Sequence, residues 1–346
     1  MTLGVLQSTT QPLCEQYKLA LLDLDGVVYR GADPIEYAAD GIRDAESRGM
    51  TIEYTTNNSS RMQATVAQQL QSFGLGVEPW QVITSSVVAA RMVAKHEPAG
   101  ARVLVLGAEH LRQEVERAGL TVVDSVQDEP TAAIQGWYPQ MTWEMMAQIS
   151  YAVEHGAAYY VTNRDLTIPR EAGIAPGCGS MIQAVINATH VEPIASAGKP
   201  ESAMYDEARE LAARDGEDMV SVAASLAIGD RLDTDIEAGN RGGYDSLCVL
   251  TGVTDHRQLL TAPAHLRPTY ISADLRGLSE AQPEVTEVDG AFVCRNERAW
   301  FDGNTLKVSS LTSVDALRAA CQLAWTAADK GVDMSAIELP DMEPAE

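Results

Sequence analysis

The stretch Leu19-Ala-Leu-Leu-Asp23-Leu-Asp25-Gly26-Val-Val-Tyr29 constrains the fold more than any other. A short apolar run bounded by a turn signal reads as a buried strand of a parallel sheet. Asp23 and Asp25 stand where that strand ends, and Gly26 lets the backbone turn sharply there. In open α/β sheets the carboxyl ends of the strands carry the ligand site. Residues i and i+2 of an extended segment point the same way. Two like charges side by side cost energy unless a cation joins them. A divalent metal held by hard oxygen ligands is the economical explanation. A surface aspartate pair at a strand end is the alternative.

The rest of the chain alternates strand-like and helix-like segments. Residues 36–48 carry apolar residues at helical spacing and stop at Gly49. Residues 50–56 read as a strand that runs into Thr55-Thr56-Asn57-Asn58-Ser59-Ser60, where Ser59 or Ser60 is expected to cap a helix reaching Phe73. A short strand at 82–83, a helix over 85–95 and the linker Pro98-Ala-Gly100 follow. A second run has strands at 102–106, 121–123, 132–137 and 157–162, with helices at 109–118, 142–154 and 178–189. A third opens at Ala197-Gly198-Lys199-Pro200, with proline in the first turn of a helix. It continues through a strand at 223–228 into Gly229-Asp230-Arg231-Leu232-Asp233-Thr234-Asp235, and ends with a strand at 246–250. Such alternation predicts an α/β fold with a doubly wound parallel sheet.

Composition narrows the partners. A net charge of −24 argues against nucleic acid and anionic membrane surfaces, which attract basic patches. It leaves an anionic substrate open, because a metal and one or two cationic side chains reverse the field locally. The five cysteines show no paired spacing and read as reduced thiols. The six histidines are scattered and read as surface or helix-end residues. No apolar run approaches a membrane span, and residues 1–16 lack the features of a signal peptide. A cytoplasmic protein is expected.

Four segments bring chemistry to strand ends: Asp23/Asp25, Thr56/Asn57, Lys199 and Asp230/Asp235. Their order and spacing resemble the haloacid dehalogenase superfamily, in its nitrophenyl phosphatase and phosphoglycolate phosphatase branch. Asp23-Leu-Asp25-Gly-Val matches the first motif and Tyr54-Thr-Thr56-Asn-Asn-Ser the second. Gly198-Lys199-Pro matches the third and Gly229-Asp230-Arg-Leu-Asp-Thr-Asp235 the fourth. Val161-Thr-Asn163-Arg-Asp165 and Pro176-Gly-Cys-Gly-Ser extend the match, which runs from about residue 18 to Leu278. The resemblance implies a Rossmann-like core over 1–99 and 196–278. It implies a large α/β cap over 100–195, inserted between motifs two and three, and leaves 279–346 as a small extension.

The resemblance also implies a phosphatase. Asp23 is the expected nucleophile, forming an aspartyl-phosphate that splits one hard hydrolysis into two easier steps. Asp25 is the expected general acid, then the base that activates water. The expected Mg²⁺ ligands are Asp23, the backbone carbonyl of Asp25, and Asp230. Asp235 is expected behind them, orienting water or Lys199, with Asp233 as an alternative. Thr56, Asn57 and Asn58 are candidates for the phosphoryl oxygens at a helix start, and Lys199 for neutralising their charge. Oxygen ligands suit Mg²⁺ better than zinc. Cap residues expected near the substrate are Trp137, Tyr138, Asn163, Arg164, Asp165 and Arg170.

A small phosphorylated metabolite is the expected partner. The segment Leu166-Thr-Ile-Pro-Arg170 lacks the histidine of pyridoxal-phosphate-specific relatives. The extension resembles the acetyltransferase-like tail of long-tailed bacterial glycerol 3-phosphate phosphatases, so glycerol 3-phosphate leads, ahead of phosphoglycolate, pyridoxal phosphate and nucleotides. No phosphate-cradling glycine loop stands in the tail, so no acetyl transfer is expected; packing, or a homo-oligomer contact, is its plain reading. A dehalogenase is the enzymatic rival, and a phosphorylatable regulatory or scaffold protein the non-enzymatic one. Asp25 speaks against both.

Overall fold

The computed structural model describes residues 5–170, 172–214 and 218–344, with the backbone alone at 169–170. Contacts divide it into two compact units. The first holds Met1–Tyr54, Leu70–Gly76 and Ala208–Glu346; the second holds Thr55–Gln69 and Val77–Glu207. Among the described residues no helix is long and apolar enough to cross a membrane.

In the first unit the apolar run at residues 19–22 is the buried strand that its composition predicts, Leu19–Asp23. It pairs in parallel with Ser225–Gly229, which pairs with Asp245–Val249, which pairs with Tyr270–Ser272. The strand Thr51–Thr56 flanks Leu19–Asp23 on its other side. Leu22 is level with Ile228, so the next residues along the two strands are Asp23 and Gly229, and Asp230 follows. Register alone therefore delivers two carboxylates to the carboxyl ends of two neighbouring central strands. Asp230 is followed by one wide turn in which Ile236 N–H donates to Arg231 O (3.2 Å). Wide turns of this kind recur at functional sites.

The extension is part of this unit. It forms an antiparallel meander of Val285–Val288, Ala291–Cys294, Glu297–Asp302 and Thr305–Val308, followed by the helix Val314–Asp329. Ser313 caps that helix, as its position before an apolar run predicts. The helix is buried along most of its length, and Leu317, Cys321, Ala324 and Trp325 share one apolar core with Ile236, Cys248, Leu259 and Ile271. Polar anchors hold the same face: Trp325 Nε1 donates to Leu259 O (2.8 Å), and Arg318 Nε to Ile271 O (3.0 Å). Tyr270–Ser272 lies at an edge of the sheet, and Arg318 occupies one of its carbonyls.

The second unit has its own parallel sheet, ordered Ala195–Ser196, Ala158–Val161, Ala132–Gln135, Arg102–Leu106, Thr121–Val123. Helices Trp143–Glu154 and Cys178–Thr189 share its core with Leu104, Ala133 and Tyr159. A hairpin pairs Thr167–Arg170 with Gly173–Pro176, where the apolar pattern gives no alternation strong enough to predict strands. His110 is not a surface residue: it is 1 % exposed, its Nε2 is 2.8 Å from Thr84 Oγ1, and burial lowers its pKa to about 4.

Two predictions follow from the packing of the first unit. Trp325→Ala removes a fully buried ring and leaves Leu259 O without its donor, and is expected to lower unfolding free energy by about 3–5 kcal/mol in urea melts. Glu53 is fully buried with neither carboxylate oxygen hydrogen-bonded, and burial raises its pKa to about 8. The folded state therefore holds this proton more tightly than the unfolded chain. Glu53's contribution to stability is greatest below about pH 4.5 and declines as pH rises towards 8. Denaturant titrations across that window should show Glu53→Gln flattening the decline, by at most roughly 4 kcal/mol.

Candidate active site

The candidate residues fall in both units. In the first, carboxylate oxygens of Asp23, Asp230 and Asp235 all lie within 4.8 Å of one another. The three are 9 %, 1 % and 1 % exposed, and among the described residues no other trio of acidic, histidine or cysteine side chains is so placed. The side chain that joins Asp23 is thus not Asp25, contrary to simple alternation along the strand. The strand ends at Asp23, and Leu24 O then accepts from Val28 N–H (2.9 Å) and Tyr29 N–H (3.2 Å), turning the chain. Asp25 lies in that turn with its side chain exposed. Asp235 joins the trio because the wide turn after Asp230 folds it back; its Oδ2 accepts from Arg231 N–H (3.1 Å). Asp233 turns outward, where Arg231 Nη2 holds it at 2.9 Å.

Asp230 is fixed by a loop that the motifs do not include. Val253 N–H donates to Asp230 Oδ2 (2.6 Å), Thr254 N–H donates to Asp230 O (3.0 Å), and Thr251 Oγ1 donates to Gly26 O (2.7 Å). Two glycines make room. A Cβ on Gly252 would stand 1.8 Å from Asp230 Oδ2, and one on Gly26, whose φ is +87°, would stand 2.4 Å from it. The sequence signal for this loop is a glycine just past the end of a parallel strand, the place where such sheets put their sites. The local field is negative: burial, then the charges of Asp230 and Asp235, push the Cys248 thiol well above its ordinary range.

The trio suits a hard divalent cation. All three donors are anionic oxygens, with no nitrogen or sulfur, which selects the Mg²⁺ and Ca²⁺ class over zinc. The backbone approach at Gly26 and Gly252 leaves no room for a side chain beside Asp230.

In the second unit the strand end at Thr56 leads into a tight loop. Thr56 Oγ1 accepts from Asn58 N–H (3.1 Å), and Asn58 Oδ1 accepts from Ser60 N–H (2.9 Å) and Arg61 N–H (3.2 Å). Asn58 thereby folds the turn, in the manner of an Asx turn. The helix starts later than the serines predict, at Gln63, and Ser59 Oγ accepts from Trp137 N–H (3.1 Å). Asn57 is the centre of a network. Its Oδ1 accepts from Lys199 N–H (2.8 Å), and its Nδ2 donates to Lys199 O (3.0 Å) and faces both Asp165 oxygens at 3.3 Å. Its carbonyl accepts from Ser85 Oγ (2.7 Å) and Asn163 Nδ2 (2.8 Å). Lys199 is 2 % exposed, far from the ordinary surface lysine. Arg164 is exposed and paired with Glu192 at 3.1 Å. The side chain of Arg170 lies outside the described residues.

Comparison with known proteins places this arrangement. A family model for haloacid dehalogenase-like hydrolases matches residues 20–121, and a second model of that family matches residues 196–278. A D-glycerol 3-phosphate phosphatase of Mycobacterium tuberculosis is 38% identical over 268 residues, covering 78% of this chain and 72% of its own. A 5'-nucleotidase of Bacillus subtilis is 36% identical over 252 residues, covering 72% and 94%. Among solved structures, a glycerol phosphate phosphatase of M. tuberculosis in complex with magnesium superposes with a TM-score of 0.83 at 33% identity, covering 96% of each chain. A p-nitrophenyl phosphatase of Archaeoglobus fulgidus gives 0.70 at 30% identity, covering 76% of this chain and 98% of its own. The chain belongs to the haloacid dehalogenase-like hydrolases.

Proposed function

We propose that this protein is a Mg²⁺-dependent phosphatase of a small phosphomonoester, with glycerol 3-phosphate as its preferred substrate. The observation that carries the reading is the buried trio of Asp23, Asp230 and Asp235 at the strand ends. Phosphatase relatives at 38% and 36% identity support the reaction class. The tail supports the substrate. The glycerol phosphate phosphatase structure is matched over 96% of this chain, whereas the p-nitrophenyl phosphatase is matched over only 76%.

In this reading Asp23, Asp230 and Asp235 hold the cation, together with the backbone carbonyl of Asp25. Mg²⁺, when bound, supplies positive charge that offsets the carboxylates and the incoming phosphate. Asp23 attacks phosphorus; its carboxylate oxygen forms the new P–O bond as the ester oxygen leaves. Asp25, exposed in its turn, gives that oxygen a proton. Asp25 then takes a proton from water, and the hydroxide so formed displaces Asp23 from phosphorus. Thr56 donates its hydroxyl, and the Asn57 backbone its N–H, to the phosphoryl oxygens. Lys199 offsets their charge. The cap, residues 100–195, selects the leaving group.

The nucleotidase relative favours one second reading, a nucleoside monophosphate as substrate. Comparing kcat/KM for glycerol 3-phosphate, phosphoglycolate, pyridoxal phosphate and nucleoside 5'-monophosphates separates the two; a nucleotide preference above tenfold would replace glycerol 3-phosphate. Asp23→Asn at saturating Mg²⁺ is expected to lower kcat by at least about 10³-fold, since the nucleophile is lost. Near-wild-type phosphate release would refute the mechanism. Gly252→Ala drives a methyl group into Asp230, and is expected to weaken Mg²⁺ binding about tenfold or more in calorimetry, with the circular dichroism spectrum retained.

A further inference from the structure

The oxygen and the NH₂ group of the Asn57 side-chain amide are both engaged. Its oxygen takes the N–H of Lys199, and its NH₂ group gives to the carbonyl of the same residue, at 2.8 and 3.0 Å. One amide therefore pairs with both polar groups of one backbone residue, as a neighbouring strand does. The remaining N–H faces both oxygens of Asp165 at 3.3 Å. This sets which end of the amide points where. A flipped amide would put oxygen against a carbonyl and a carboxylate, and NH₂ against an N–H. A closed ring completes the arrangement: Asp165 N–H donates to Asn163 Oδ1 (3.2 Å), and Asn163 Nδ2 donates to Asn57 O (2.8 Å).

The chain is built to admit this contact. Gly198, just before the lysine, approaches so closely that a Cβ there would lie 2.7 Å from Asn57 Oδ1, 2.7 Å from Asn163 Cβ and 2.8 Å from Thr162 O. The glycine of Gly198-Lys199-Pro200 is thus a space requirement of the Asn57 clamp. The lysine it holds is buried, where a charged side chain is costly to leave unsupported.

We propose that Asn57 is a positioning residue whose side-chain amide fixes the backbone of Lys199, and that Asp165 fixes Asn57. Asp165 then acts through Asn57, and its carboxylate is engaged within the protein and not reserved for the leaving group. The inference deepens the phosphatase reading and rests on it for the role of Lys199. The clamp itself is a statement about structure and is open to test without turnover.

The test uses the full chain with Asn57→Asp, Asp165→Asn, the double variant, and Asn57→Ala. Asn57→Asp keeps the acceptor for Lys199 N–H but turns oxygen towards Lys199 O and Asp165. Its kcat is expected to fall about a hundredfold, the scale of an ångström's misplacement of a positioned group, with KM changing less than about threefold. In N57D/D165N the donor and acceptor are exchanged, and about tenfold of the loss should return, a rescue that general destabilisation does not produce. In Asn57→Ala, amide hydrogen exchange at Lys199 should accelerate, while Mg²⁺ affinity by calorimetry stays at the wild-type value. An N57D variant within threefold of wild-type kcat, a double variant no faster than N57D, or unchanged exchange at Lys199 in N57A would overturn the clamp. A wild-type chain that releases no phosphate from any phosphomonoester would overturn the phosphatase reading instead, and the exchange measurement would still decide the clamp.

Discussion

Mutual repulsion among three buried carboxylates is the constraint that the structure is built to bear. Two unit charges at about 4.8 Å repel by roughly 3–4 kcal/mol at an effective dielectric constant of about 20. Three such pairs come to about 10 kcal/mol, comparable with the whole stability of an ordinary domain. Such a trio needs rigid support from every side, and a cation when the three are ionised. The support is visible: parallel register puts Asp23 beside Gly229 and so one residue short of Asp230, the wide turn returns Asp235, and the 251–254 loop donates two backbone N–H groups to Asp230. None of these contacts depends on a long, mobile side chain, so little side-chain entropy is lost in holding the trio.

The second unit solves a different problem with similar means. A buried lysine needs its backbone held and its approach kept clear, and both come from short amide and carboxylate side chains. Asn57, Asn163 and Asp165 form a ring of hydrogen bonds between 2.8 and 3.3 Å. The Asn57–Asp165 contacts involve a carboxylate and the other bonds of the ring are neutral; closed on one another, they fix orientation as well as distance.

Much of this was legible in the residues. The alternation of strands and helices, the strand at Leu19–Asp23, and the helices over 178–189 and beyond Ser313 follow from apolar period, caps and turn residues. The three acidic positions Asp23, Asp230 and Asp235 could be named from their motifs. The motifs also group Asp23 with Asp230 and set Asp235 behind them; how near Asp235 comes is not legible, because it depends on where the strand stops and on a single wide turn. The same limit hid the Asp230 loop and the burial of His110: both arise from residues brought together by tertiary packing, which local pattern does not encode. The pairing of Thr167–Arg170 with Gly173–Pro176 is not legible, because these strands lack period-two alternation and contain two prolines and a glycine.

The tail has a consequence for truncation. Its helix shares one core with Leu259 and Ile271, and Arg318 and Trp325 occupy backbone carbonyls there. Such a segment cannot be deleted without exposing what it covers. Removing it would strip the cover from an apolar face and leave an edge-strand carbonyl without its donor, so polar replacements at the sites it shielded must accompany the loss. The tail and the face beneath it are therefore one packing unit, built from distant parts of the chain.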